Sequence, residues 1–411
     1  MANTDAKQLR TTWGDAMAEY SGPHSDVRIL EIGGTIAGAF CGKLLTDFGA
    51  EVLKIEPLAG DETRSLAPLK TVEKGAPVSG MHLFLDARKR SLTLDVTKPS
   101  GREIFRALLA QFDAVIDSRP FVATEDDELL ALRANAAHVV WLRITPFGLT
   151  GPWREWQGDD LVYQAVAGGM YGWGSETGAP LRSPGVSADF LTGAWAAAMV
   201  TAPLRTARAE RQGQLIDVSQ AGSQLLPASL DNTRFSFTGA VSYRVDLPFP
   251  GIMACADGFV GINLMTDEHW RKFCGMVGQD ALTEDARFST PGNRVHHAEE
   301  LFEIFGPIVL SRTKGEFFEE GNHKRQIPIS PVSDPKDVME SEHLNAREYF
   351  VDQQLPDGST AKVPSNYIRM SDTPFAPVRK APELGEHTLS VLTALGVPRV
   401  TVDELRQEGV V

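Results

Sequence analysis

The chain has 411 residues, 42% hydrophobic and 23% charged, the balance of a globular protein with room for more than one folding unit. A formal net charge of −14 argues against the broad basic face that nucleic-acid binding needs. No run reaches the roughly 18 apolar residues that cross a bilayer. The opening MANTDAKQLRTTWGDAMAEY has no apolar signal core, and Cys41, Cys255 and Cys274 lie far apart with no CxxC and no metal-ligand spacing. The expectation is a cytoplasmic protein with reduced thiols, no metal centre, and no nucleic-acid or membrane partner.

Residues 1–26 read as a helical or irregular extension. Strand and helix then alternate. Residues 27–32 (VRILEI) form a β-rich run that stops at Gly33-Gly34, and positions 37, 40, 41, 44, 45 and 48 share one helical face before Gly49 ends the helix. Residues 51–56 (EVLKIE) and 91–96 (SLTLDV) read as strands, 100–112 as a helix and 113–117 (DAVID) as a strand. A helix over 126–135, capped by Thr124, leads to a strand over 138–145 (HVVWLRIT). Such alternation implies βαβ crossovers and a mainly parallel sheet, whose ligands bind at the carboxyl ends of the strands.

Residues 161–208 are rich in Gly and Ala and read as a loop followed by a packed helix. Around Asn232 the alternation breaks. Residues 251–264 form a hairpin with Ala256-Asp257-Gly258 as its turn, and helical patterns follow over 269–277 and 297–309. Residues 328–334 read as a Pro-rich connector. The last 80 or so residues hold a hairpin turning at Pro356-Asp357-Gly358 and a terminal helix.

The first chemical candidate is EIGGTIAG (31–38), a Gly-rich turn between strand and helix. It invites a dinucleotide reading, with phosphates at a helix N-terminus. Its glycines, Gly33, Gly34 and Gly38, do not fit G-x-G-x-x-G, so a tight turn with close helix–strand packing is an equal alternative. Arg88-Lys89-Arg90 and Arg119 are cations that could meet a ligand with several phosphates; a charge triplet is otherwise a solvated loop. Asp159-Asp160 and Asp189 in VSADFLTG are the acidic candidates, Asp189 having the local look of a helix N-cap. No histidine lies between His138 and His269, so a His–Asp proton shuttle built locally around Asp160 or Asp189 is not supported.

Taken in order, these segments resemble family III CoA-transferases, the group that includes formyl-CoA and carnitine CoA-transferases and α-methylacyl-CoA racemases. The resemblance runs from VRILEIGGTIAGAFCGKLLTDFGAEVLKIEP through ARKRSLTLDVTKPSGREIF, ITPFGLTGPW, GDDLVYQAVAGGM, SADFLTG and RQGQLIDVS to CADGFVGINL and APELGEHTLSVL. It implies an α/β fold: a Rossmann-like large domain with a mainly parallel sheet over 1–230, a smaller α+β domain over 231–330, a return to the large domain over 331–411, and an interlocked homodimer. It also implies that Asp189 is the nucleophile. Asp160 and the loop Gly34-Thr35-Ile36-Ala37, with Lys89, Asp117, Ser118, Arg119, Gly168 and Gly169, would then contact substrate or CoA. Acyl-CoA and a small carboxylic acid are the implied substrates, with no tightly bound cofactor.

The chemistry suits an aspartate, which is ionised at neutral pH and can attack a thioester without a base. The mixed anhydride it forms stays activated, released CoA converts it to an aspartyl-CoA thioester, and the acceptor carboxylate opens that in turn. Three departures bear on specificity. Residues 125–128 are acidic where transferases often carry a second basic residue. VDLPFPGIMACADG lacks a glycine run, which sets aside formyl or oxalate specificity, and Asp159 stands where racemase-type members place a histidine. The alternative activity is an acyl-CoA racemase or epimerase working by proton abstraction at the α-carbon.

Overall fold

The computed structural model describes residues 22–71, 77–122, 128–241, 244, 251–264, 266–355, 357–365, 367–373 and 379–411. The expected extension up to residue 21, the Thr124 cap and Pro356 of the second hairpin turn lie outside the described residues. The chain divides into two compact units. The larger comprises the described residues up to Met170, Arg182–Val241 and Ala346–Val411; the smaller comprises Tyr171–Leu181 and Ser242–Asn345.

The larger unit is built on six strands: β1 (Arg28–Ile32), β2 (Glu51–Glu56), β3 (Arg90–Thr93), β4 (Ala114–Asp117), β5 (Val140–Thr145) and β6 (Leu215–Ser219). They pair in the order β3–β2–β1–β4–β5–β6, and every pair is parallel. This is the doubly wound order, and the chain reverses direction across the sheet between β1 and β4. Both faces are covered, which is why the strands read as nearly continuous apolar runs. On one face Leu30, Leu53, Val115 and Trp141 meet Phe105 and Leu108 of α3 (Pro99–Leu109). On the other, Ile29, Val52 and Ile116 meet Cys41 and Leu45 of α1 (Ile36–Asp47) and Val200 and Leu204 of α5 (Ser187–Glu210).

Helices α2 (Gly80–Leu85) and α4 (Asp160–Val166) complete the segment before α5, and α6 (Gln220–Ser223) and α7 (Ser229–Thr238) follow β6. The chain end returns to the first core. Val391 and Leu392 of α10 (Thr388–Ala394) and Val402 and Leu405 of α11 (Arg399–Gln407) pack with Leu30 and Phe105. The terminal valines join them, and the Val410 carbonyl accepts from Asp95 N–H at 2.8 Å. The larger unit therefore needs residues more than 350 positions apart in sequence to close its core.

The smaller unit carries a three-stranded antiparallel sheet: β7 (Ile252–Cys255), β8 (Gly258–Ile262) and β9 (Ile329–Pro331). The expected hairpin is present, with Cys255 paired to Gly258. Part of the Pro-rich stretch expected to be a connector is instead strand β9, on the edge of that sheet, where proline is tolerated because one side needs no ladder donor. Helices α8 (Asp267–Met276) and α9 (Ala298–Leu310) cover the sheet through Trp270, Phe273, Leu301 and Phe305. Strands β10 (Phe350–Gln354) and β11 (Thr360–Pro364) form the antiparallel hairpin expected near Gly358. No described helix is long and apolar enough to cross a membrane.

Candidate active site

Asp189 sits in the first turn of α5, and what brings it to a ligand-accessible place is the contact between α5 and α1. Gly193 is one helical turn after Asp189, on the same face. A side chain there would put its Cβ 2.6 Å from the Ala37 carbonyl, so only glycine lets the two helices approach this closely. Phe190 locks the pair from the side, its ring meeting Phe40 of α1 edge-on at 4.6 Å. Asp189 is thereby delivered to the N-terminus of α1. There Thr35 is the N-cap and its hydroxyl accepts from Gly38 N–H at 3.2 Å, while Ala39 N–H bonds the Thr35 carbonyl at 3.0 Å. The Ala37 N–H is directed to the Asp189 carboxylate. A helix N-terminus with its unsatisfied donors is a natural anion site.

The second donor is Gln220, which begins α6 directly after the carboxyl end of β6. Its amide nitrogen lies 2.7 Å from Asp189 Oδ1. Sequence reasoning did not single out Gln220; the signal available was a polar residue immediately following a strand of a parallel sheet. Tyr163 of α4 also belongs to this neighbourhood. Its hydroxyl donates to the Gly158 carbonyl at 2.7 Å, and burial, reinforced by the charges of Asp189 and Asp159, holds its phenol above the usual range.

Asp160 explains the geometry of α5. The helix has no side-chain cap of its own at Val186. Instead Asp160 Oδ1 accepts from the Ala188 N–H at 2.7 Å, capping α5 from another helix. Its other oxygen accepts from Gln164 at 2.6 Å, with the Arg182 guanidinium 3.8 Å away. Asp189, which looks like an N-cap in the sequence, is thus released from that duty and keeps its carboxylate for the site. Burial raises the Asp189 carboxyl to about 6; the neighbouring charges of Asp160 and Glu62 add to the rise, and the bonds from Gln220 and Ala37 oppose it.

The Gly-rich turn after β1 and the loop after β4 come together. A Cβ on Gly33, whose φ is +97°, would meet Arg119 N at 2.5 Å, and one on Gly38 would meet Ser118 Oγ at 2.2 Å. Gly34, Thr35, Ile36 and Ala37 therefore lie beside Ser118 and Arg119 at the switch point of the sheet. Asp117 is fully buried and holds the Arg119 guanidinium by two bonds, at 3.0 and 3.1 Å. Arg143 of β5 braces the same loop, donating to the Arg119 carbonyl at 2.8 Å. Gly168, with φ +86°, and Gly169 lie in the turn after α4, beside Asn232 and Ala228.

Lys89 takes a different position from the one its charge suggests. Its side chain is fully buried, and its ammonium is held by Glu31 at 2.7 Å, Asp86 at 2.9 Å and the Ala39 carbonyl at 2.8 Å. Lys54, equally buried, joins the cluster through Asp86 at 2.7 Å and Asp61 at 2.5 Å. Gly42 makes room for it, since a Cβ there would lie 1.9 Å from Glu31 Oε2. The described interior of Arg88-Lys89-Arg90 is thus an ion network beneath α1, with Lys89 gripping that helix through Ala39. Among the described residues no cluster of histidine, cysteine or carboxylate side chains is arranged to hold a metal ion.

The half-buried Asp189 carboxylate lies beside the switch point of a doubly wound sheet, where such folds bind ligands. The chain matches the model of CoA-transferase family III over residues 25–388, and it belongs to that family. It is 29% identical over 384 residues to succinate–glutarate CoA-transferase of Agrobacterium fabrum, covering 91% of this chain and 96% of that protein. Succinyl-CoA:glutarate CoA-transferase of Homo sapiens is 27% identical over 408 residues, covering 95% and 90%. A solved structure of a CaiB/BaiF family protein from Brucella suis superposes with a TM-score of 0.80 at 25% identity, covering 91% of this chain and 99% of that one.

Two outcomes follow from these geometries. Lys89→Met leaves Lys54 alone to face the buried carboxylates of Glu31, Asp86 and Asp61, and urea denaturation should show a loss of about 3 kcal/mol or more. An unchanged midpoint would mean that the network contributes nothing to stability. Asp189→Asn should act in the opposite direction. Because folding raises this carboxyl from its ordinary 3.8 to about 6, the folded protein binds that proton more tightly, and stability is lost as pH rises through that interval. The variant should be more stable than the native protein by on the order of 1 kcal/mol at pH 8. The advantage should shrink as pH falls from about 6 toward 4, and a variant less stable at pH 8 would contradict the assigned environment.

Proposed function

We propose that this family III CoA-transferase moves CoA between dicarboxylic acids, with succinyl-CoA as donor, through covalent chemistry on Asp189. The donor class rests on the relatives: the Agrobacterium and human proteins are named for succinate or succinyl-CoA with glutarate, and a relative from Chloroflexus aurantiacus for succinyl-CoA with L-malate. The observation that carries the mechanism is the Asp189 carboxylate itself, half-buried in the first turn of α5 and supplied with donors from Ala37 and Gln220.

In this reading one Asp189 oxygen attacks the thioester carbonyl, the C–S bond breaks, and the CoA thiolate leaves a mixed anhydride. The thiolate then attacks the aspartyl carbon, expelling succinate and forming the aspartyl-CoA thioester. The acceptor carboxylate displaces CoA to give a second anhydride, and the thiolate takes the new acyl group, which restores Asp189. No proton transfer is required at any of these steps. CoA is placed along Gly34–Ala37 and the Ser118–Arg119 loop, with Arg119 the nearest cation. Asp160 holds the start of α5 so that Asp189 keeps its aim.

The working form is a cytoplasmic homodimer with interlocked subunits. Helix α7 supports a partner surface: none of its residues is buried, and Leu230, Phe235 and Phe237 are 78%, 55% and 86% exposed. Sedimentation equilibrium should give twice the chain mass at micromolar concentration; a monomer there removes the dimer from the proposal.

The chemistry is tested by incubating the protein with succinyl-CoA and hydroxylamine and mapping the hydroxamate by peptide mass spectrometry. Label at Asp189, its loss in Asp189→Ala together with CoA exchange, and an activity that falls as pH drops through about 6 are the expected results. CoA exchange that survives Asp189→Ala would remove the nucleophile assignment. Deuterium uptake at the acyl α-carbon without CoA transfer would instead reveal a racemase.

A further inference from the structure

We infer that Gln220 is a second catalytic residue, one that fixes Asp189 Oδ1 as the oxygen that stays on the enzyme and carries the negative charge when CoA thiolate attacks the aspartyl carbon. The inference rests on Asp189 being the nucleophile. Its basis is geometry. The Gln220 amide nitrogen lies 2.7 Å from Oδ1, and Gln220 is only 4% exposed, so the donor residue itself is held out of solvent.

The donor is also rigidly mounted. Ala221 N–H bonds the Pro146 carbonyl at 3.0 Å, tying the start of α6 to the loop after β5. Ser219 caps α6 by accepting from Gly222 N–H at 3.0 Å. Gln224 reaches the carbonyl of Ala188, the residue before Asp189, at 3.3 Å. The amide is thus referenced to the ends of two strands and to the backbone that carries the nucleophile. That is the preorganisation an oxyanion donor needs, because it aims a dipole where charge will develop without reorganising at the moment of reaction.

The consequence is a division of labour between the two carboxylate oxygens. Oδ1, engaged by Gln220, is the poorer nucleophile, so Oδ2 forms the bond to the acyl carbon. In the anhydride Oδ1 is the aspartyl carbonyl oxygen. When thiolate sulfur bonds to Cγ, the C=O electron pair moves onto Oδ1, beside the Gln220 N–H. Collapse restores C=Oδ1 and breaks Cγ–Oδ2, and Oδ2 departs within the succinate carboxylate. Acceptor attack on the thioester passes through the same oxyanion, with thiolate as the leaving group. Attack of Asp189 on the incoming thioester does not, because its charge develops on the acyl oxygen. Gln220 should therefore act on the two steps at the aspartyl carbon and leave the step at the acyl carbon almost untouched.

The test is rapid acid quench of the full-length enzyme mixed with succinyl-CoA labelled in either the succinyl or the CoA portion. Protein-bound succinyl label reports the anhydride, and protein-bound CoA label reports the thioester. In Gln220→Leu, and in Gln220→Met as a second apolar replacement, thioester formation should slow by about 100-fold. Anhydride formation should stay within a few-fold of native, so succinyl label accumulates where the native enzyme shows CoA label. Equal slowing of both steps would mean that Gln220 only positions Asp189, and no slowing would mean that it is a bystander; either result overturns the inference. Absence of both labels from Asp189 in the native enzyme would instead overturn the nucleophile on which it rests.

Discussion

The close approach of α1 and α5 is the constraint on which the site depends. It requires Gly193, because a Cβ at that position would lie within 2.6 Å of the Ala37 carbonyl. Once the helices touch there, the residue one turn earlier on α5 must face the first turn of α1, and that residue is Asp189. The same contact turns the N-terminus of α1 toward a carboxylate rather than toward solvent. Fold and site are therefore one problem. The sheet fixes where α1 begins, glycine fixes how near α5 can come, and the surroundings of Asp189 follow.

Electrostatics divides along the same line. Beneath α1, the ammonium groups of Lys54 and Lys89, with no solvent access, face three buried carboxylates, Glu31, Asp86 and Asp61. Such buried clusters are weak sources of net stability, although removing one member is costly. This one has a structural use, since Lys89 also bonds the Ala39 carbonyl and so grips the first turn of the helix that faces Asp189. Above α1 the balance is deliberately incomplete. Asp189 has Asp160 and Glu62 as like-charged neighbours and only neutral donors in compensation.

The strands and the sheet class were legible because the apolar runs of β1, β2, β4 and β5 are continuous and punctuated by Gly or Asp. The discontinuous larger unit was harder to see, since nothing local in α10 and α11 says that they close a core begun at Leu30. β9 was hidden by its proline, which reads as a breaker until an edge strand is known to be available. At the site, Asp189 was accessible through motif order, but Gln220 was not, because its importance comes from following β6 and meeting α5 in space. Lys89 shows the converse. A cation in a basic triplet looks solvated, and only the positions of Glu31 and Asp86, 58 and 3 residues away, reveal that it is buried. Asp160 and Asp189 also exchange roles relative to local appearance: the one that looks like a cap does not cap, and the other caps a helix that starts 27 residues later.

In the mechanism proposed above, a carboxyl held near 6 suits an aspartate that acts in turn as nucleophile and leaving group. An ordinary aspartate is fully ionised at neutral pH but weakly basic, and by Brønsted reasoning a weakly basic oxygen attacks a thioester slowly. Burial and the Asp160 charge raise its basicity. Were they unopposed, the group would protonate and cease to attack. The Ala37 N–H and the Gln220 amide supply the opposing effect, and they do so as fixed dipoles rather than as a counter-charge. A cation bonded to the carboxylate would restore ionisation at the cost of nucleophilicity, because it stabilises the anion before attack more than it stabilises the spreading charge afterwards. Neutral donors at a helix start and on a rigid amide keep the anion reactive, while the guanidinium groups of Arg182 and Arg119 are engaged by Asp160 and Asp117.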